Sequence, residues 1–84
     1  MADNLKSITV YYYAVLREKR GIAQETVMTQ AATAAALYEE LNEQYHFPIA
    51  RDLLKAAVND EYCDWDSPIH AGDSVIFIPP VAGG

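Results

Sequence analysis

Apolar residues alternate with polar ones near the start of the chain, recur at helical spacing in its middle, and run together near its end. From Leu5 to Tyr13 the residues are Leu-Lys-Ser-Ile-Thr-Val-Tyr-Tyr-Tyr. This β-branched and aromatic run predicts a strand with two usable faces, Ile8, Val10 and Tyr12 on one and Thr9, Tyr11 and Tyr13 on the other. Tyrosine suits a surface that is apolar in body and wet at its tip. Arg17-Glu18-Lys19-Arg20-Gly21 reads as a solvated polar turn, and Gln24-Glu25-Thr26-Val27-Met28 as the return strand of an N-terminal hairpin.

Ala34 to Tyr45 is built from strong helix formers, and Thr33 stands where its hydroxyl can cap the free N–H groups of the first turn. Ala34, Leu37, Tyr38, Leu41 and Tyr45 follow the 3.6-residue period, with Glu39, Glu40 and Glu43 mainly opposite, so one stripe packs on a sheet. The glutamates read as an acidic outer face that keeps the helix solvated, without assigned chemistry. Beyond Phe47-Pro48 and a short segment near Ile49 to Leu54, Lys55-Ala56-Ala57-Val58 predicts a strand that turns at Asn59-Asp60, with Tyr62-Cys63-Asp64-Trp65 returning. Ser74-Val75-Ile76-Phe77-Ile78 is a continuous apolar run bounded by Pro79-Pro80, as suits a central strand. Two hydrophobic strands at opposite ends of the chain with a helix between them predict an α+β roll, in which the helix crosses one sheet face. Both faces of the last strand are apolar, so the face away from the helix needs a cover. Either a loop lies over it, or it is a partner-binding patch of Tyr11, Tyr13, Tyr62 and either Ile76 or Ile78.

The 84 residues fit one domain. Twelve acidic residues against 6 basic ones give a formal charge of -6, which repels phosphate backbones and anionic headgroups and argues against nucleic-acid or membrane binding. One cysteine, Cys63, forms no internal disulfide, and the start Met1-Ala2-Asp3-Asn4 has neither a basic nor an apolar leader region, so a cytoplasmic setting is expected. Conventional active-site chemistry is thinly represented. His46 and His70 share no metal-ligand spacing with another donor, no cation flanks Cys63 to activate it, and no glycine loop is present to cradle phosphate. No metal site and no bound cofactor is expected on this chain.

The informative stretch is Pro79-Pro80-Val81-Ala82-Gly83-Gly84. A rigid diproline ends the last strand, and four small residues beyond Pro80 extend about 13–14 Å, slim enough to enter a narrow channel in another protein. A frayed terminus without a role is the competing reading. An α-carboxylate is an anion at neutral pH and a poor electrophile, so a carboxylate presented on Gly84 must be activated to react. Acyl-adenylation by a separate ATP-using enzyme, followed by attack of sulfur or an amine, would make the tail a carrier arm.

Tyr13-Ala14-Val15-Leu16-Arg17-Glu18, Ala56-Ala57-Val58-Asn59, Gly72-Asp73 and the ending Ile78-Pro79-Pro80-Val81-Ala82-Gly83-Gly84 together resemble the small sulfur-carrying subunits of molybdopterin synthase, members of the ubiquitin-like β-grasp group. The family ending usually carries Ser or Thr where this chain has Ala82. The resemblance implies a β-grasp domain over residues 1–80, with a mixed sheet packed on one main helix, and a flexible tail over residues 81–84. It further implies that an activating enzyme uses ATP to adenylate Gly84, that a sulfur donor enzyme converts it to a thiocarboxylate, and that the tail residues Pro80, Val81, Ala82 and Gly83 enter the large subunit's channel. There the sulfur passes to cyclic pyranopterin monophosphate, in a pocket whose cations and acid–base groups belong to the large subunit. Tyr13, Tyr62, Phe77 and Ile78 are the implied partner-interface positions, with Arg17 at the edge against a partner carboxylate, and a heterotetramer of two small and two large subunits is the implied assembly. Three other roles remain open to the sequence: a β-grasp carrier for a thiazole or amino-acid precursor, a modifier joined through Gly84 to lysines of target proteins, and an interaction module with an idle tail.

Overall fold

The computed structural model describes residues 5–80. Five strands and two α-helices follow in the order β1 (Lys6–Tyr12), α1 (Ala14–Arg20), β2 (Gln24–Thr29), α2 (Ala34–Tyr45), β3 (Lys55–Val58), β4 (Glu61–Cys63) and β5 (Ser74–Ile78), with a 3₁₀ turn at Arg51–Leu53. They form one mixed sheet in the order β2-β1-β5-β3-β4. β1 and β5 run parallel at its centre, with Val10 opposite Val75 and Tyr12 opposite Phe77, and the other pairs are antiparallel. The α+β roll expected from the two terminal strands is therefore the observed one.

Strand alternation decides what is inside. Ile8, Val10 and Tyr12 of β1, Ala56 of β3, and Val75 and Phe77 of β5 point to the inner face and are almost wholly buried. α2 lies across them with Ala34, Leu37, Tyr38 and Leu41 buried, the stripe its spacing predicts. Thr33 caps it, its hydroxyl accepting from the Ala36 amide at 3.1 Å. Aromatic rings fill the space between helix and sheet: Phe77 meets Tyr38 edge-on at 5.1 Å and stacks on Trp65 at 5.9 Å, while Tyr38 stacks on Phe47 at 5.7 Å. The Tyr38 hydroxyl donates to the Ile49 carbonyl at 2.9 Å, so the buried phenol keeps a partner.

The polar turn expected at Arg17–Gly21 is instead the second half of α1. Leu16 is fully buried and draws the segment against the sheet. Gly21 ends the helix in the left-handed conformation, φ 77°, with its amide donating to the Arg17 carbonyl at 2.7 Å. Arg20 is not free in solvent. Its guanidinium holds Glu25 through two bonds of 2.7 and 3.1 Å and lies 3.9 Å from the centre of the Tyr45 ring. The β3–β4 turn matches expectation, with Asn59 and Asp60 both at positive φ as a two-residue hairpin requires. Asn59 also bridges to β5, donating to Asp73 at 3.0 Å and accepting from the Ser74 amide at 2.9 Å.

Candidate partner-docking face

The outer face of the sheet carries no helix. Strand register sets its side chains in lateral rows. One row reads Gln24, Tyr11, Ile76, Ala57 and Tyr62 across all five strands. The next row, toward the end of β5, pairs Ile78 with Lys55. Tyr13 follows β1 on its other side. At the opposite end Thr9 stands beside Ser74, so the face is apolar where β5 runs out to Pro79-Pro80 and polar where β5 begins.

Of the expected interface residues, Tyr13 and Tyr62 are 49% and 74% exposed, and Ile78 is half-buried between them. β1 and β4 are three strand spacings apart, so the strip is about 14 Å across. Arg17 sits one helical turn beyond Tyr13, exposed beside a shallow hollow lined by Ala14, Glu18 and Gly21. Ala14 makes the corner between strand and helix at φ 52°.

Phe77 corrects the expected set. It is fully buried on the inner face, between Tyr38 and Trp65, and offers no surface to a partner. Adjacent strand residues face opposite sides, so Phe77 and Ile78 cannot both face out, and the pairing of Phe77 with the buried Tyr12 and Ala56 puts it inside. Pro80 is exposed at the end of the described chain, whereas Val81, Ala82, Gly83 and Gly84 lie outside the described residues.

Beneath α1 a half-buried polar cluster supports this end of the face. The Tyr12 hydroxyl donates to Glu25 at 2.5 Å, alongside the two bonds from Arg20. Burial acts to raise the Glu25 carboxyl, but the hydrogen bonds from Arg20 and Tyr12 outweigh it and hold the group below the ordinary carboxylate range. Burial and the neighbouring Glu25 anion push the Tyr12 phenol well above its usual value, and the bond to Glu25 does the same for the Arg20 guanidinium. All three groups hold their usual charges at neutral pH, and the pair fixes α1, and so Arg17, on the sheet. Nothing in the alternation pattern separates Arg20 from its exposed neighbours Arg17 and Lys19.

Other titratable groups are dispersed. Asp73, bonded by Asn59 and by the His70 amide, is held below the usual carboxylate range. Cys63 is half-buried, with its sulfur 3.8 Å from the Ala56 carbonyl. Among the described residues no three His, Cys, Asp or Glu side chains converge on a point where a metal ion could sit, and no helix is long and apolar enough to cross a membrane.

Residues 10–84 match the ThiS family. The chain belongs to that family. This ThiS-family chain is 32% identical over 80 residues to a molybdopterin synthase sulfur carrier subunit of Escherichia coli, covering 92% of this chain and 99% of that protein. Its fold is the ubiquitin-like β-grasp, as the sequence resemblance implies. The small archaeal modifier protein 1 of Haloferax volcanii superposes with a TM-score of 0.75 at 18% identity, over 90% of this chain and 99% of that one. A chain in the complex of subunits 1 and 2 of the molybdopterin-converting factor of Helicobacter pylori superposes with a TM-score of 0.64 at 24% identity, over 93% and 99%.

Proposed function

We propose that this chain is the sulfur-carrying small subunit of a molybdopterin synthase. The observation that carries the reading is the 32% identity spread over 99% of the Escherichia coli sulfur carrier subunit. The family match through Gly84 and the apolar strip that leads to Pro79-Pro80 support it. So does the Helicobacter pylori relative of like fold, which is found in complex with a second subunit.

In this reading the Gly84 carboxylate attacks ATP on an activating enzyme, forming an acyl-adenylate and releasing pyrophosphate. A sulfur donor's sulfide-level sulfur then displaces AMP, and Gly84 becomes a thiocarboxylate. The outer face docks on the large subunit, and Pro80, Val81, Ala82 and Gly83 carry the sulfur into its pocket. The thiocarboxylate sulfur bonds to a carbon of cyclic pyranopterin monophosphate as that carbon's bond to oxygen breaks and the oxygen leaves with the electron pair, and water then cleaves the acyl–sulfur bond to restore the carboxylate. An acidic carrier repels that phosphate, so the acceptor's cations belong to the large subunit.

The test is intact mass after incubation with an activating enzyme, ATP and a sulfide source, followed by addition of large subunit and acceptor. Replacement of one oxygen by sulfur, absent from a Gly84-deleted chain and lost on adding the acceptor, is expected. No mass gain, with the enzyme active on another carrier, would overturn the reading. Slower-migrating conjugates that vanish when Gly84 is deleted would instead identify a protein modifier.

A further inference from the structure

Lys55 is the one charged side chain among the strand residues of the outer face. Along β1, β5, β3 and β4 that face is Ser7, Thr9, Tyr11, Ser74, Ile76, Ile78, Ala57 and Tyr62, and β2 adds Gln24, Thr26 and Met28. Lys55 is exposed, stands directly opposite Ile78, and shares an open groove of about 450 Å³ with Tyr62, Cys63 and Asp64. It therefore lies within the strip that the tail leaves from. The ion pairs among the described residues are Arg20–Glu25, Arg51–Glu39 and His70–Asp73, so Lys55 has none. Asp64, one residue past β4 in the same groove, is the carboxylate placed to compete for it, but the two form no ion pair.

An ammonium in water beside an apolar strip costs the free chain nothing, since its stem lies along apolar surface while its head stays hydrated. Covering the strip removes that water, and a buried cation without an anion is strongly disfavoured. On a chain of net charge -6, a cation within the apolar strip also differs in sign from the chain as a whole, and such a group pins register and excludes wrong surfaces.

We propose that Lys55 determines which partner this chain accepts, by pairing with a carboxylate on the large-subunit surface that covers the outer face. The inference rests on the carrier reading above and deepens it. A surface presenting only apolar groups, or a cation, opposite Lys55 is rejected even where its shape matches. The pair also fixes the lateral register of docking beside Ile78, and with it the direction in which the chain beyond Pro80 is aimed.

The test is calorimetric titration of the full chain against the cognate large subunit at several salt concentrations, for the wild type, Lys55→Met, Lys55→Glu and Asp64→Asn, with thermal melts of each variant. Lys55→Met keeps the stem and strands the partner's carboxylate, so affinity falls by about 30-fold or more and its salt dependence flattens. Lys55→Glu falls further, and Asp64→Asn binds as the wild type does. With melting temperatures unchanged, Lys55→Met binding as tightly as wild type or tighter would overturn the proposal. So would an equal loss in Asp64→Asn, which would make the contact internal. Absence of wild-type binding would bring down the carrier reading together with the proposal, whereas failure of the Lys55 variants alone leaves that reading standing.

Discussion

The two faces of β5 are made from one apolar run, yet they do different work. Val75 and Phe77 face inward and are fully buried, with Phe77 held between the Tyr38 and Trp65 rings. Ile76 and Ile78 face outward among Tyr11, Tyr13, Ala57 and Tyr62, half-buried at most. Inner contacts are aromatic, close and made within the chain, so they determine whether the domain folds. In the proposed carrier role the outer contacts are left to a partner. A single residue step along the strand thus separates a stability position from a proposed docking position.

Substitutions that act on one face and spare the other test this division most directly. The largest effect is expected from Phe77→Ala, which empties the ring stack and costs about 3–5 kcal/mol. Against roughly 4–12 kcal/mol of total stability for a domain of this size, the urea midpoint falls sharply. An unchanged midpoint would place Phe77 outside the core. Tyr62→Asp should do the reverse: stability within about 0.5 kcal/mol of wild type, and affinity for the large subunit weakened by about 10–100-fold. Equal loss of stability and affinity would erase the contrast between the faces.

Glu25→Gln probes the cluster that ties the inner face to α1. The carboxyl is held below its ordinary value of 4.5, so its contribution to folding is present above that value and is lost as pH falls through the lower folded one. At pH 7 the variant should lose about 1–2 kcal/mol, with the gap to wild type closing as pH falls below the ordinary value in paired denaturation curves. A gap constant with pH would mean that the charge of Glu25 contributes nothing. The smallest effect is expected at the corner between the faces. Ala14 holds φ 52°, a conformation that disfavours a Cβ, so Ala14→Gly should gain about 0.5–1 kcal/mol in the same assay. A loss would show the corner to be unstrained.

Much of this was legible in the sequence, and the parts that were not share a cause. Ile8, Val10 and Tyr12 in alternation, the Leu37, Tyr38 and Leu41 stripe and the Asn59-Asp60 turn each carry a local signature, and each element lies where that signature puts it. α1 lacked one, because a seven-residue helix with Val15 and Leu16 as its apolar members is too short to display a period. Its stop signal was nonetheless present, Gly21 following Arg17, Lys19 and Arg20. Phe77 stands among the interface positions that the resemblance implies, but adjacent strand residues face opposite sides, so Phe77 and Ile78 cannot share the outer face, and the register with β1 and β3 places Phe77 inward. Lys55 looked like an unremarkable strand-initial lysine until that register set it beside Ile78.

That β5 is hydrogen-bonded on both sides, parallel to β1 and antiparallel to β3, has a mechanical consequence. Tension applied to the chain beyond Pro80 is directed into β5, where it loads two ladders in shear, so that many bonds must yield together. A terminal strand at a sheet edge would instead be peeled away one bond at a time. In the proposed carrier role, the domain could therefore withstand a tug on its C-terminal end each time a partner released it.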